Sequence, residues 1–156
     1  MALRLLGWVA RLLLGAIFII AGYLKLRDPF LFEMGVDSYQ MLPPWGVVFV
    51  ARTLPWLEVG LGTVLLSGWK LKYAASFTAL LLGGFLAAMA ITYSRGIEAD
   101  CGCFGAGEKI SPLTLARDSI FFGLAVFLAV YSWRQRGKKP AAASGEPEIG
   151  NMPEQL

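Results

Sequence analysis

Residues 5–24 read LLGWVARLLLGAIFIIAGYL, a run of about the twenty residues that an α-helix needs to cross a bilayer's hydrocarbon. Three similar apolar runs follow, at about residues 45–68, 71–93 and 112–133. A backbone in lipid must satisfy its own hydrogen bonds, so each run is predicted to be a transmembrane helix. The sequence therefore predicts an all-α polytopic membrane protein, a bundle of four transmembrane helices.

The composition of the 156 residues agrees with this interpretation. The chain is 56% hydrophobic and 16% charged, with a mean hydropathy of +0.59, whereas a soluble domain carries roughly 25% charged residues. The first run lacks the small-residue cleavage site of a signal peptide, so we expect it to be retained. We expect one transmembrane domain over residues 1–136, and a disordered cytoplasmic tail over 137–156, which is too polar to bury a core.

The basic residues predict the orientation of the bundle. One side carries cations with no nearby acid, at Arg4, Arg11, Lys70, Lys72, Arg134, Arg136, Lys138 and Lys139. On the other side, basic and acidic residues are mixed. The positive-inside rule then places both termini in the cytoplasm of a bacterial inner membrane and the loop at 94–111 on the periplasmic side. The net charge of +3 follows from this bias, so the bilayer is the expected partner and nucleic acid is not.

The loop between the first two runs, residues 26–44, contains aromatic residues and prolines. We expect it to lie in the outer membrane interface, as a short amphipathic turn. It could serve as an aromatic belt that anchors the bundle or as a binding surface, and the sequence leaves both readings open.

The two cysteines of the chain, Cys101 and Cys103, lie in the predicted periplasmic loop, where disulfides persist. The Cys-Gly-Cys ring is small and strained, which suits thiol–disulfide exchange. Gly102 lets the backbone bend between them, and Gly105 permits a further turn. Ser111 and Pro112 then resemble the N-cap and first residue of the fourth helix.

The two thiols are expected to differ in reactivity. The helix start, Lys109, Arg95 or Arg117 could favour a thiolate. Cys103 is nearer to the helix start, whereas Cys101 follows Asp100, whose charge disfavours a thiolate. We therefore predict that Cys103 attacks and that Cys101 is the resolving cysteine.

The absence of histidine narrows the chemistry. Zinc needs about four ligands, and without histidine the two cysteines are too few to form a typical zinc site. The lack of histidine also excludes His-ligated haem and acid–base catalysis by histidine. Two thiolates alone could hold Cu(I) or Hg(II), so soft-metal binding by Cys101 and Cys103 is an alternative to redox exchange. An inert structural bridge is the third reading, although so small a loop constrains the unfolded chain little.

Glu58 lies well inside the second apolar run, where a charged group needs a partner or a cavity. Lys25, at the outer end of the first run, is the expected partner. The pair could fix the packing of the helices, or Glu58 could accept protons beside a quinone or a thiol. Pro55 is predicted to kink this helix.

Several short sequence patterns occur together in this chain in a combination that is typical of one protein family. They are Ala21-Gly22-Tyr23-Leu24-Lys25-Leu26, Pro55-Trp56-Leu57-Glu58-Val59-Gly60-Leu61-Gly62, Leu65-Leu66-Ser67-Gly68, Asp100-Cys101-Gly102-Cys103-Phe104-Gly105 and Arg117-Asp118. Together, over residues 5–133, they resemble the MauE family of methylamine utilisation, within the broader DoxX-like four-helix membrane proteins.

This resemblance implies a redox-associated membrane protein that works beside a thioredoxin-like partner in maturing a disulfide-rich periplasmic protein. The resemblance does not imply that this chain takes part in methylamine metabolism itself. The layout is also similar to quinone-linked proteins of the DsbB and VKOR type, which use two cysteine pairs where this chain has one. Cys101 and Cys103 are then the catalytic pair of a thiol–disulfide oxidoreductase, with supporting residues Gly102, Phe104, Gly105, Lys25, Glu58 and Arg117.

The leading hypothesis is a thiol–disulfide redox protein that exchanges electrons with a periplasmic thioredoxin-like or cysteine-rich partner. A quinone bound between the helices is the expected sink if electrons leave. The rival hypotheses are a soft-metal binding protein and a structural subunit of a membrane complex.

Overall fold

The computed structural model describes residues 2–102 and 108–136 of the chain. This part contains five helices: α1 (Ala2–Arg27), α2 (Pro29–Ser38), α3 (Pro44–Ser67), α4 (Leu71–Ser94) and α5 (Pro112–Arg136). All but α2 are long and apolar enough to cross a membrane. The prediction of an all-α, four-span membrane protein is confirmed, and each predicted span falls within three residues of the helix observed. The predicted tail at 137–156 lies outside the described residues.

The extra helix, α2, occupies the loop that was expected to form only a short interfacial turn. Pro29 opens it, because a proline is tolerated in the first turn, where its missing N–H would have no partner. Phe32 is buried beneath it, while Phe30 and Met34 on other faces are more than half exposed. One side of α2 therefore packs on the bundle, mainly against α3.

Small residues bring α1 and α3 close together. A Cβ atom at Gly62 would lie 2.8 Å from the carbonyl oxygen of Gly15, and one at Gly22 would lie 2.7 Å from that of Pro55. Only glycine permits these approaches. The α1–α3 pair and the α4–α5 pair are each extensively packed, whereas contacts between the two pairs are fewer.

The two ends of the bundle differ in chemistry. The start of α1, the α3–α4 turn and the end of α5 meet at one end, around a core that includes Leu14, Leu65 and Leu128. The opposite end carries α2 and the segment that joins α4 to α5, around a core of Tyr39, Met89, Ala99 and Cys101. This second end contains the candidate site.

Candidate functional site

The segment before α5 is held as a narrow two-armed loop. The amide of Cys101 donates to the carbonyl of Glu108 at 2.6 Å, and the amide of Ile110 donates to Ala99 at 3.0 Å. At the base of α5, the Ser111 hydroxyl accepts from the Thr114 amide at 3.2 Å. Ser111 therefore caps a helix that begins at Pro112, as the sequence predicted.

An exposed ion pair also spans the two arms. The Lys109 ammonium donates to the Glu98 carboxylate at 2.7 Å, and the two side chains are 70% and 82% exposed. The hydrogen bond to Lys109 lowers the pKa of Glu98, and the same bond raises the pKa of Lys109. Because both groups are in water, the pair contributes little to stability.

Cys101 is almost completely buried, with 1% of its surface exposed. The Tyr39 hydroxyl, at the end of α2, donates to its carbonyl oxygen at 3.0 Å. Gly102 follows with a φ of 68°, a left-handed conformation that favours glycine, and Phe32 lies beside it. The helix that the sequence did not predict thus helps to fix the first cysteine. Cys103, Phe104 and Gly105 lie outside the described residues.

Among the residues that the structure describes, three groups lie around the Cys101 sulfur. The Asp118 Oδ2 atom is 3.5 Å from Sγ, the Arg117 Nη2 atom is 3.7 Å from it, and the Met89 Sδ atom is 3.9 Å from it. The guanidinium favours a thiolate, whereas an ionised carboxylate disfavours one and can instead accept the thiol proton. The sulfur therefore has both a charge-stabilising group and a proton acceptor within reach.

Arg117 also holds the site together. Its Nη1 atom donates to Glu108 in the loop at 2.7 Å, and its Nε atom donates to Asp118 at 3.1 Å. One guanidinium thus joins the loop arm, the carboxylate and the thiol. The sequence analysis named Arg117 among the cations that could favour a thiolate, and the structure places it at the Cys101 sulfur.

Lys25 and Glu58 meet inside the bundle, as the sequence analysis expected. The Lys25 ammonium donates to both Glu58 carboxylate oxygens, at 2.5 and 2.7 Å. Their side chains are only 2% and 7% exposed. The Phe32 and Phe85 rings lie 5.1 and 5.8 Å from the ammonium. The close α1–α3 packing at Gly22 places the two residues opposite each other.

A small cavity between the helices lies beside this ion pair. Its volume is about 30 Å³, and Lys25, Glu58 and Asp118 all line it. A cavity needs roughly 10–15 Å³ for one water, so this one has room for about two. Asp118 therefore contacts the Cys101 sulfur on one side and the same cavity as Glu58 on the other.

The two cavities nearest the ion pair do not fit a quinone ring. The internal cavity, at about 30 Å³, is too small for one. A larger groove of about 360 Å³ lies between α3 and α4, and its lining is apolar, from Val50 to Ala88. Such a groove suits a lipid or isoprenoid chain but offers no side-chain hydrogen-bond donor to a quinone carbonyl.

Sequence reasoning missed three residues of this site. Asp118 was noted only beside Arg117 in the family pattern, although a carboxylate two turns into an apolar run is an unusual feature that could have identified it. Met89 and Tyr39 carry no such feature, since a methionine and a tyrosine near a helix end are ordinary in a membrane protein.

The fold and the site together define a multi-pass membrane protein that holds a buried cysteine within an arginine–carboxylate cluster at one end of a helical bundle. The family described as "Methylamine utilisation protein MauE" matches residues 3–131. The chain belongs to the MauE family.

Curated relatives agree with this assignment. The chain is 34% identical over 125 residues to "Methylamine utilization protein MauE" of Paracoccus denitrificans, covering 78% of this chain and 67% of the relative. The proteins of the same name from Methylorubrum extorquens and Methylophilus methylotrophus are 35% and 36% identical, over 68% and 60% of this chain and 61% and 50% of the relatives. The match thus spans between half and about two thirds of each relative. No solved structure matches the chain.

Proposed function

We propose that this protein is a membrane thiol–disulfide exchange protein in which Cys101 and Cys103 react with a thioredoxin-like or cysteine-rich periplasmic partner. The observation that carries this proposal is the placement of the Cys101 sulfur 3.5 Å from Asp118 and 3.7 Å from Arg117. A purely structural cysteine needs neither a proton acceptor nor a cation at its sulfur.

The exchange begins with the pair oxidised. A partner thiolate attacks the sulfur of Cys103, a mixed disulfide forms, and Cys101 leaves as a thiolate. Arg117 stabilises this anion, and Asp118 carries the proton that the sulfur gains. The partner's second thiolate then attacks the partner sulfur of the mixed disulfide, which forms the partner's disulfide and releases Cys103 as a thiolate that takes its proton from water.

At the end the partner holds a disulfide, and Cys101 and Cys103 have gained two electrons and two protons. The same steps run backwards when the partner is to be reduced, and the relative reduction potentials set the direction. In this reverse direction the Cys103 thiolate attacks the partner's disulfide and Cys101 resolves the mixed disulfide, a role that suits the buried position of Cys101.

Trapping of mixed disulfides in cells tests the exchange. Cys101→Ser removes the resolving thiol, so we expect it to accumulate a disulfide-linked partner through Cys103, identifiable by mass spectrometry. Cys103→Ser should trap much less, and the double Cys→Ser variant is the matched control. If neither single variant traps a partner, and thiol labelling shows that the pair never changes redox state, exchange is wrong.

We further propose that both termini are cytoplasmic in a bacterial inner membrane, that residues 1–136 form the membrane domain, and that residues 137–156 form a cytoplasmic tail. This orientation is supported by the end of the bundle where α1 starts and α5 ends, because the pocket there is lined by cations and by no acidic residue. A membrane-impermeant thiol reagent should label the cysteines of intact spheroplasts after mild reduction. Labelling only after lysis would mean that the topology is inverted.

The family lies, in our proposal, within the broader DoxX-like proteins. The relatives' names connect them with methylamine utilisation. For this chain we propose only thiol–disulfide exchange with a secreted partner. This proposal does not depend on whether the chain takes part in methylamine utilisation.

Soft-metal binding is a second candidate, because the thioether sulfur of Met89 lies 3.9 Å from the Cys101 sulfur. Thiolate and thioether sulfur are the donors that Cu(I) prefers. Metal analysis of purified, reduced protein distinguishes the two functions. Near-stoichiometric copper that is lost in Met89→Leu and Cys101→Ser, but kept in the exposed control Met34→Leu, would favour metal binding.

A structural subunit is the remaining reading. It would be supported if a double Cys→Ser variant kept full activity in cells and co-purified with large membrane partners.

A further inference from the structure

A second pocket lies at the opposite end of the bundle from the cysteines. Its volume is about 480 Å³, and it is bounded by the start of α1, the α3–α4 turn and the end of α5. Its polar lining includes Arg4, Arg11, Lys70, Lys72, Tyr131 and Ser132. This pocket has no place in the proposed thiol chemistry.

The lining is strongly cationic. It contains two arginines and two lysines and no acidic residue. Among the residues that the structure describes, none of these four cations forms an ion pair. The Lys72 ammonium lies 4.3 and 4.5 Å from the Tyr73 and Trp133 rings, which orient it without neutralising its charge. The pocket is therefore complementary to an anion that carries at least one full charge.

Arg11 is the most firmly placed of the four cations. Its Nη2 atom donates to the Leu66 carbonyl near the end of α3 at 2.8 Å, and its guanidinium lies 4.3 Å from the Trp8 ring. Gly68, with a φ of 73°, makes room for it, since a Cβ atom there would lie 2.8 Å from Nη1. Its Nε atom is buried and has no acceptor within the described ranges. A buried N–H of this kind calls for an acceptor.

The level of the pocket relative to the membrane surface indicates the source of that anion. Aromatic side chains that are more than half exposed surround this end of the bundle, at Trp8, Trp69, Tyr73 and Trp133. Such belts lie at the level of the lipid headgroups. A phosphate held there is one that the bilayer itself supplies.

We propose that this pocket binds the phosphate headgroup of an anionic phospholipid. Arg11 and the turn lysines contact the phosphate, the Tyr131 and Ser132 hydroxyls lie on the same wall, and the acyl chains run along the apolar faces of the neighbouring helices. A lipid bound there joins three separate segments of the chain.

Native mass spectrometry of the full-length protein in a non-ionic detergent tests this site. Phosphatidylglycerol and phosphatidylcholine with the same acyl chains are titrated in separately, and the apparent Kd of the first bound lipid is compared. We expect phosphatidylglycerol to bind at least about tenfold more tightly, since each cation near an anionic headgroup changes affinity by roughly fivefold.

Two lysines provide the variants, because removing Arg11 could unsettle the end of α3. Lys70→Gln and Lys72→Gln should each weaken phosphatidylglycerol binding by roughly fivefold, and the double variant by about 25-fold. Arg134→Gln is the matched control, since it removes an exposed cation from the same end that does not line the pocket. It should change the Kd by less than about twofold.

Three results would overturn the proposal. Equal affinity for the two lipids would mean that the pocket does not distinguish the net charge of the lipid headgroup. Equal weakening by Arg134→Gln and Lys72→Gln would mean diffuse surface attraction. Displacement of phosphatidylglycerol by millimolar inorganic phosphate would identify a soluble phosphate compound as the ligand.

Discussion

Removing the charge of Glu58 should destabilise the protein substantially. The carboxylate accepts two hydrogen bonds from Lys25, at 2.5 and 2.7 Å, and both side chains are more than nine-tenths buried. Glu58→Gln keeps the shape of the side chain but leaves the Lys25 ammonium without a counter-charge. Breaking a buried pair by removing one partner costs about 3–5 kcal/mol.

This magnitude converts into an observable shift in thermal unfolding. For a chain of this size, 1 kcal/mol corresponds to roughly 2–4 °C, so we expect Tm to fall by about 10 °C. The assay is intrinsic tryptophan fluorescence of the detergent-solubilised protein during heating. Glu98→Gln is the matched control, because it also breaks a 2.7 Å glutamate–lysine pair, but one that is fully in water. It should leave Tm unchanged.

A double variant separates the charge from the packing. Lys25→Met/Glu58→Met replaces both charges by apolar groups of similar length, and such replacements are often neutral or stabilising. It should recover most of the lost Tm. The reasoning is refuted if Glu58→Gln shifts Tm no more than Glu98→Gln does, or if the double variant is as unstable as the single one. Unchanged stability with slowed thiol turnover would make Glu58 a proton relay alone.

Three further outcomes are expected. In a variant whose other cysteine is serine, Asp118→Asn should lower the midpoint pH of Cys101 alkylation by about 1 unit or more, because it removes a negative charge 3.5 Å from the sulfur. Gly62→Leu should separate α1 from α3 and lower Tm by about 10 °C or prevent folding, whereas Gly60→Leu, with nothing within 4 Å of its Cβ position, should not. The pKa of Glu98 is lowered by its lysine partner, so this ion pair is complete above the ordinary value of 4.5 and is lost as pH falls through the lowered one. Once the intrinsic pH dependence of amide exchange is divided out, the protection factors of the loop-arm amides should therefore fall slightly on the acid side of 4.5, and Glu98→Gln should remove this fall.

The sequence could predict the four spans because their physical cause is local. An apolar run of about twenty residues has one stable solution in a bilayer, whatever its neighbours are. The Lys25–Glu58 pair was predictable for a related reason. Two buried opposite charges in a bundle that offers few other partners must find each other.

The rest of the site depends on contacts that the sequence does not encode locally. The short helix α2 is too brief and too weakly patterned to be distinguished from an interfacial turn. Its role, which is to bring Tyr39 to the Cys101 carbonyl, is visible only once the chain has folded. Met89 is twelve residues from Cys101, and only the return of the chain after α4 brings the two sulfur atoms to 3.9 Å.

Asp118 connects two features that the sequence presented as separate. It contacts the Cys101 sulfur at 3.5 Å and lines the same water-sized cavity as Lys25 and Glu58. That cavity lies where all four long helices contribute side chains and where the two helix pairs are less extensively packed. In the proposed exchange, a proton passed from the thiol to Asp118 would stay beside a cavity that Lys25 and Glu58 also line. Arg117 donates to both Asp118 and Glu108. In the proposed exchange, opening the loop for a partner would therefore also disturb the Asp118 carboxylate, so the same arginine would affect both access to the thiol and the transfer of its proton.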